Sequence, residues 1–247
     1  MSPTITTTST AYNKDELSTP EVAQNLVFLR ALEAEVRKLP VFDHPFLVRF
    51  SKGVYSVKGM RWALIQFGKH VRLFTSCLAH LLGTAPDIRD RVVLFDNLNE
   101  ELGKGDLRGT HFMLYQRMLY SLEVTREEFD RTETYTAMSL LNDGLMHAVR
   151  HTFIDGLAWL GLGGEITIPN NFPYLAQGIR HAFPAADLAF FERHGDVDQC
   201  HSDDSNVLLA LHVHSDGDRQ RVRAEILKSL YLRGAVWDEI ADRASRI

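Results

Sequence analysis

The chain has 247 residues, of which 45% are hydrophobic and 24% charged, and its formal net charge is −5. This length and hydrophobic content are sufficient to bury a core within one large domain. An acidic chain with scattered basic residues lacks the positive surface that nucleic acid or an anionic membrane requires, so we predict neither partner. The two cysteines, Cys77 and Cys200, lie far apart. That usage indicates a reducing compartment, and we expect a cytoplasmic protein.

The first 18 residues are polar and rich in threonine. They lack the basic start and the apolar run of a signal peptide. No later stretch approaches the roughly 18 consecutive apolar residues that cross a bilayer. We therefore predict a flexible N-terminal arm over residues 1–18 and one folded domain over residues 19–247.

Beyond the arm, apolar residues recur every three or four positions, which is the period of an amphipathic helix. Residues 21–39 carry such a stripe. Ser56 is a suitable N-cap for a helix over residues 57–83, and Asp87 for one over residues 87–103. Further helices are predicted over residues 108–122, 134–163, 168–183, 186–214 and 216–244. Seven or eight helices with short connections, and no alternating strand pattern, predict an all-α bundle.

The stretch FFERHGDVDQCHSDD, residues 190–204, concentrates histidine and acidic side chains on one predicted helix. At 100° per residue, His194, Asp198 and His201 leave the same face within two turns. Imidazole and carboxylate are common ligands of iron, manganese and zinc. Because the surrounding residues are also acidic, the alternative interpretation of the same three side chains is the polar face of a solvated helix. Apolar flanks favour a buried helix, in which such a triad needs a metal or other partners.

Two further segments offer acidic or imidazole ligands. Glu101 stands near the end of one predicted helix and His111 near the start of the next. The GKG sequence between them suits a tight reversal that would bring both side chains to one place. Glu165 lies among apolar residues between a glycine-rich helix end and a proline, which indicates either a buried partner or a capping role.

These segments, in this order, resemble a known family. The ordered set E-L-G-x-G-x5-H, G-G-E-x-x-x-P and H-x3-D-x2-H is similar to that of the haem-oxygenase-like diiron oxidases and oxygenases, over about residues 21–244. The resemblance implies a single-domain haem-oxygenase-like bundle of seven to eight helices that binds two non-haem iron ions. It assigns six residues of this chain as metal ligands: Glu101, His111, Glu165, His194, Asp198 and His201.

The resemblance also implies the chemistry. We expect a non-haem diiron oxidoreductase that uses Fe2+ and O2 on a small amino-acid-derived or amine substrate, with oxidative cleavage or desaturation favoured over N-oxygenation. The setting would be natural-product biosynthesis, with no catalytic residue beyond the ligands. An external electron donor and a homodimer are further expectations. One departure concerns the helix before Glu101: residues 67–83 contain no Asp or Glu, whereas the N-oxygenating members carry an additional carboxylate ligand there.

Other interpretations remain open at this point. The same fold serves metal-independent enzymes, either thiaminase-like or forming a quinone cofactor, and a non-catalytic helical binding module is a third class. His147 and His151 are spaced for a separate metal pair on one helix. His70 is either a residue of the substrate pocket or a hydrogen-bonded core histidine.

Overall fold

The computed structural model describes residues 11–247, except for the side chains of residues 195–202. The described part consists of helices joined by short connections and contains no strand, which confirms the all-α prediction. Twelve α-helices follow one another in the described chain: α1 (Lys14–Leu17), α2 (Pro20–Val36), α3 (Pro45–Ser51), α4 (Val57–Thr84), α5 (Ile88–Glu101), α6 (His111–Ser121), α7 (Arg126–Arg131), α8 (Thr136–His151), α9 (Phe153–Leu160), α10 (Ile168–Ala182), α11 (Ala189–His212) and α12 (Asp216–Ala244).

Both predicted N-caps are confirmed. The Ser56 hydroxyl accepts a hydrogen bond from the Gly59 amide at 2.9 Å, where α4 begins. The Asp87 carboxylate accepts one from the Arg89 amide at 2.9 Å, where α5 begins. Each cap satisfies an amide that has no partner within its own helix.

The prediction of a single helix over residues 134–163 is wrong. This stretch is divided between α8 and α9 at Thr152, whose backbone is extended at φ −145° and ψ 157°. The Thr152 hydroxyl then accepts from the Asp155 amide at 3.3 Å and so caps α9. A continuous apolar period concealed this break, because the pattern of buried residues continues on both sides of it.

Two short helices, α3 and α7, are absent from the sequence prediction. Pro45 occupies the first turn of α3, and the His44 ring caps it by accepting from the Phe46 amide at 3.2 Å. Helices of two turns or fewer carry too few apolar positions for a helical period to be recognised.

Residues 11–18 of the predicted arm include α1. Asn13 caps this helix in a capping box with Glu16, and Leu17 is buried. The Tyr12 hydroxyl donates to the Asp90 carboxylate at the start of α5. Residues 1–10 lie outside the described residues, and the predicted boundary at residue 18 stays a prediction.

The core runs along α4, which packs against α5, α6, α8 and α12. On the other side of the bundle, α11 packs against α2, α6, α9 and α10. The end of α5 and the start of α6 therefore lie beside α11, as does a 3-10 turn over Glu165–Thr167. Within the described residues, no helix has the length and apolar character needed to cross a membrane.

Candidate metal centre

Glu101 and His111 are brought together by the reversal between α5 and α6. Glu101 is the last residue of α5 and His111 the first of α6. Residues 103–105 all have positive φ, at 66°, 56° and 87°. A Cβ atom on Gly103 would lie 2.5 Å from the carbonyl carbon of Gly109, so the two sides of the reversal approach closely only with glycine there. As a result His111 Nδ1 lies 2.9 Å from Glu101 Oε2, and the predicted proximity is confirmed.

His194 completes the cluster from α11. Its Nδ1 lies 2.7 Å from the Phe190 carbonyl oxygen, which assigns the proton to Nδ1 and the lone pair to Nε2. The His194 and His111 rings lie 4.3 Å apart between centroids. Glu101, His111 and His194 are all buried, and each offers one ligand atom within 4.8 Å of the others.

The contacts of His111 are unusual for a buried histidine. Neither ring nitrogen makes a hydrogen bond within the described part of the chain, although Glu101 Oε2 is 2.9 Å from Nδ1. The two atoms are therefore close without the geometry of a hydrogen bond. A buried polar atom without a partner costs free energy. Glu101 Oε2 and His111 Nδ1, placed side by side without a hydrogen bond, form an arrangement that a bound cation stabilises.

Glu165 lies at the start of the 3-10 turn, with 4% of its surface exposed. Its Oε1 accepts from Asn97 Nδ2 at 3.2 Å, whereas Oε2 is buried and has no hydrogen bond among the described residues. Burial raises the pKa of Glu165 to about 8, and the nearby charge of Glu101 acts in the same direction. A cation would relieve both effects by stabilising the ionised form. Glu165 lines the same cavity as Glu101, His111 and His194.

Asp198 and His201 lie in the part of α11 whose side chains are outside the described residues. Their backbone continues the helix that carries His194. Four of the six predicted ligands are thus found around one cavity, and the assignment of Asp198 and His201 stays a prediction.

The spacing of His147 and His151 on α8, which suits a separate metal site, has a different explanation in the structure. The His147 and His151 rings stack at 5.2 Å between centroids. His151 Nδ1 is 2.9 Å from Asp155 Oδ2, and Arg221 Nε donates to the other oxygen of Asp155 at 2.7 Å. Arg221 already neutralises the buried Asp155 carboxylate, so His151 belongs to an ion-pair network.

The cavity has a polar end and an apolar end. Glu101, His111, His194 and Glu165 form the polar end. The apolar end is formed by side chains of α4, α8 and α12, among them Phe67, Val71, Phe74, Met138, Leu141 and Trp237. A cavity of this composition suits a small organic molecule held beside a polar reaction centre.

Two residues of the site were missed in the sequence. Asn97 binds Glu165, and Arg233 lines the cavity. Each stands in the apolar stripe of its helix: Asn97 follows Leu94 by three residues, and Arg233 follows Leu230 by three. A polar residue within an otherwise buried stripe is the signal that would have identified both.

The residues present fit a metal. The donor set is carboxylate and imidazole, and it includes buried atoms without hydrogen bonds on His111 and Glu165. Oxygen and imidazole ligands together suit iron, manganese or zinc.

Comparison with known proteins agrees with this donor set. A family model described as "iron-containing redox enzyme" matches residues 61–234. That range includes all six predicted ligands. The chain is 26% identical over 220 residues to a 4-aminobenzoate synthase of Chlamydia muridarum, covering 85% of this chain and 89% of that protein. It is 22% identical over 227 residues to a 4-chloro-allylglycine synthase of Streptantibioticus cattleyicolor, covering 90% of this chain and 85% of that protein.

A similar fold is found among solved structures. A domain of Shewanella denitrificans with a heme oxygenase-like fold superposes with a TM-score of 0.66 at 15% identity, covering 92% of this chain and 94% of that one. The predicted fold is therefore confirmed. At this identity the likeness concerns the fold alone.

Proposed function

Because this chain belongs to the family of iron-containing redox enzymes, we propose that it is an O2-activating non-haem diiron oxidase or oxygenase. The observation that carries the proposal is the buried group Glu101, His111 and His194, with ligand atoms within 4.8 Å of one another. Glu165 belongs to the same centre, and Asp198 and His201 complete the six proposed ligands. Bound ferrous iron would supply the electrons that activate O2.

The protein's own residues contribute binding and positioning. The Phe190 carbonyl fixes the tautomer of His194 at 2.7 Å, and the Asn97 amide orients Glu165 at 3.2 Å. The apolar end of the cavity holds the substrate and excludes water from the polar end. These roles require no acid or base beyond the ligands.

The substrate class in this proposal is a small amino-acid-derived compound or an amine. The named products of the two relatives, 4-aminobenzoate and 4-chloro-allylglycine, each contain an amino group and a carboxylate. Oxidative cleavage or desaturation is favoured over N-oxygenation because residues 67–83 of α4 provide no acidic side chain. A deuterium isotope effect on O2-dependent turnover is expected for cleavage of a C–H bond. Its absence at every substrate carbon would favour N-oxygenation.

The first experiment measures O2 consumption by protein loaded anaerobically with Fe2+. We expect Glu101→Ala, His111→Ala and His194→Ala each to reduce the rate at least about a hundredfold, because each removes a metal ligand. His151→Ala is the matched control, since His151 contacts Asp155 outside the cavity. Equal rates in His151→Ala and His194→Ala would contradict the proposal, as would full activity without iron.

A further inference from the structure

Arg233 lines the cavity from α12. It is the only Arg or Lys among the described residues that line it. Arg233 is half-buried, and it lies among the residues that line the cavity. A cationic side chain is costly to place in such surroundings unless a partner compensates it.

The position of the guanidinium is fixed. Arg233 Nε donates to the Gly163 carbonyl oxygen at 2.8 Å, and the Ser229 hydroxyl, one turn earlier, donates to the same oxygen at 2.7 Å. A Cβ atom on Gly164 would lie 2.8 Å from Arg233 Nη2, so this glycine makes room for the guanidinium. The turn that carries Glu165 and the side chain of Arg233 are thereby held against each other.

His70 occupies the neighbouring side and offers no negative charge. Its Nδ1 lies 2.7 Å from Asn142 Oδ1, and its Nε2 lies 3.4 Å from Arg233 Nη2. Burial, together with the charge of Arg233, lowers the pKa of His70 to about 3. The His70 ring is therefore neutral. It both lines the cavity and makes a hydrogen bond to Asn142, so the two interpretations offered by the sequence apply together.

Among the described residues, Arg233 makes no ion pair of the kind that Arg221 and Arg223 of α12 make. Arg221 binds Asp155 at 2.7 Å, and Arg223 binds Glu35 at 2.6 Å. Within the described residues, Arg233 makes no hydrogen bond to a carboxylate, and its Nη1 makes no hydrogen bond at all. The carboxyl group of Glu165 is the acidic group that acts on Arg233, and in the proposed function it also binds a metal.

We infer that Arg233 is the specificity-determining residue that binds the carboxylate of the substrate. A guanidinium presents parallel N–H donors that match the two oxygens of a carboxylate. The rest of the substrate lies against the apolar side chains of α4 and α8, so the favoured ligand has one anionic end and a hydrocarbon body. The inference rests on the proposed function for the identity of the site, and it narrows the substrate class by excluding amines without a carboxylate.

The test compares the dissociation constants of hexanoate and of its uncharged analogue hexanamide, both measured by NMR titration of the full chain. Both are measured in metal-free protein and in protein loaded with redox-inert Zn2+. A charge-assisted, paired hydrogen bond corresponds to a preference of about tenfold to a hundredfold for hexanoate. We expect that preference in both forms of the wild type and its loss in Arg233→Gln, with hexanamide binding unchanged.

Arg223→Gln is the matched control, because it removes a charge from the same helix outside the cavity. It should leave the preference intact. A preference that survives Arg233→Gln, or one that appears only with Zn2+, would overturn the inference, because the carboxylate would then bind the metal. If Arg233→Gln does not fold, the wild-type ratio in metal-free protein decides, and a ratio near one overturns the inference.

Failure of the proposed function gives a different result. If the protein binds no metal and yet shows an Arg233-dependent preference for hexanoate, the carboxylate site stands and the metal centre does not. If the metal binds and hexanoate shows no preference, the reverse holds.

Discussion

Glu101 and Glu165 line one cavity from different surroundings. Glu101 ends a regular helix and lies 2.9 Å from the ring of His111. Glu165 starts an irregular turn, receives one amide hydrogen bond at 3.2 Å, and leaves its other oxygen without a hydrogen bond in the described chain. Burial raises the pKa of Glu165 to about 8. The two carboxylates are therefore held by different means. The local geometry of the chain positions Glu101, whereas Glu165 depends on a neighbouring helix and on the cation that it would bind.

The largest expected effect comes from neutralising each carboxylate in turn. Glu101→Gln and Glu165→Gln should each weaken Fe2+ binding at least about a hundredfold, because each replaces an anionic ligand by a neutral one. Anaerobic titration with Fe2+ measures this. If one variant binds Fe2+ as tightly as the wild type, the glutamate that it lacks is not a metal ligand, and the assignment of both carboxylates to one metal centre is wrong.

The pH dependence of the metal-free protein separates the two glutamates further. The pKa of Glu165 is raised in the folded chain, so between its ordinary value of 4.5 and about 8 the folded state holds a proton that the unfolded state loses. Stability must therefore fall as pH rises through this window. Relative to Glu165→Gln, the metal-free wild type should lose on the order of 2 kcal/mol of unfolding free energy between pH 5 and pH 7.

Denaturant unfolding of both proteins at the two pH values checks this prediction. The groups that act on Glu165 are Asn97, Glu101, Asp204 and Arg233, and all are present in both proteins, so the difference isolates Glu165. Parallel pH profiles for the wild type and Glu165→Gln would show that Glu165 is already ionised without metal.

A smaller effect on Fe2+ affinity is expected from Asn97, whose side-chain amide donates to Glu165. Asn97→Ala should weaken Fe2+ binding by about tenfold, the usual scale for a residue that orients a ligand. Asn97→Leu should weaken it by a similar amount, because it keeps most of the side-chain volume and also removes the amide donor. Unchanged Fe2+ affinity in both variants would mean that Glu165 needs no orienting partner.

The smallest effect concerns the reversal that positions Glu101 and His111. Gly103 and Gly105 both have positive φ, but a Cβ atom would clash at Gly103, whereas at Gly105 it would meet no described atom within 4 Å. Gly105→Ala should cost about 1 kcal/mol of stability from the backbone conformation alone. Gly103→Ala should cost more and should also weaken Fe2+ binding, since the reversal must open. Thermal unfolding and Fe2+ titration of the pair test this, and equal behaviour would indicate that the reversal is flexible.

The parts of the site that the sequence predicted are those set by local geometry. Glu101 and His111 are ten residues apart across a glycine-containing reversal, and their proximity followed from that spacing. Glu165 was identified because a glutamate among apolar residues needs a partner. The break between α8 and α9 was missed because the buried pattern continues past Thr152.

Arg233 was missed for a different reason. Its partners are Gly163, 70 residues earlier, and His70, 163 residues earlier. Such contacts depend on how α12 packs against α4 and the glycine turn, and no periodicity within one helix specifies them. The stripe on α12 shows that residue 233 faces inward, but only the packed bundle shows that it faces the cavity.

The most direct test of the metal centre is the amount of Fe2+ that the wild type and His111→Ala bind at equilibrium without O2. His111 is chosen because both of its ring nitrogens are buried without a hydrogen bond in the described chain, so its removal disturbs no other contact of that kind. We predict more than about one Fe2+ per chain in the wild type, and below about one tenth of that amount in His111→Ala. Equal iron content in the two proteins, with His111→Ala folded, would contradict the account.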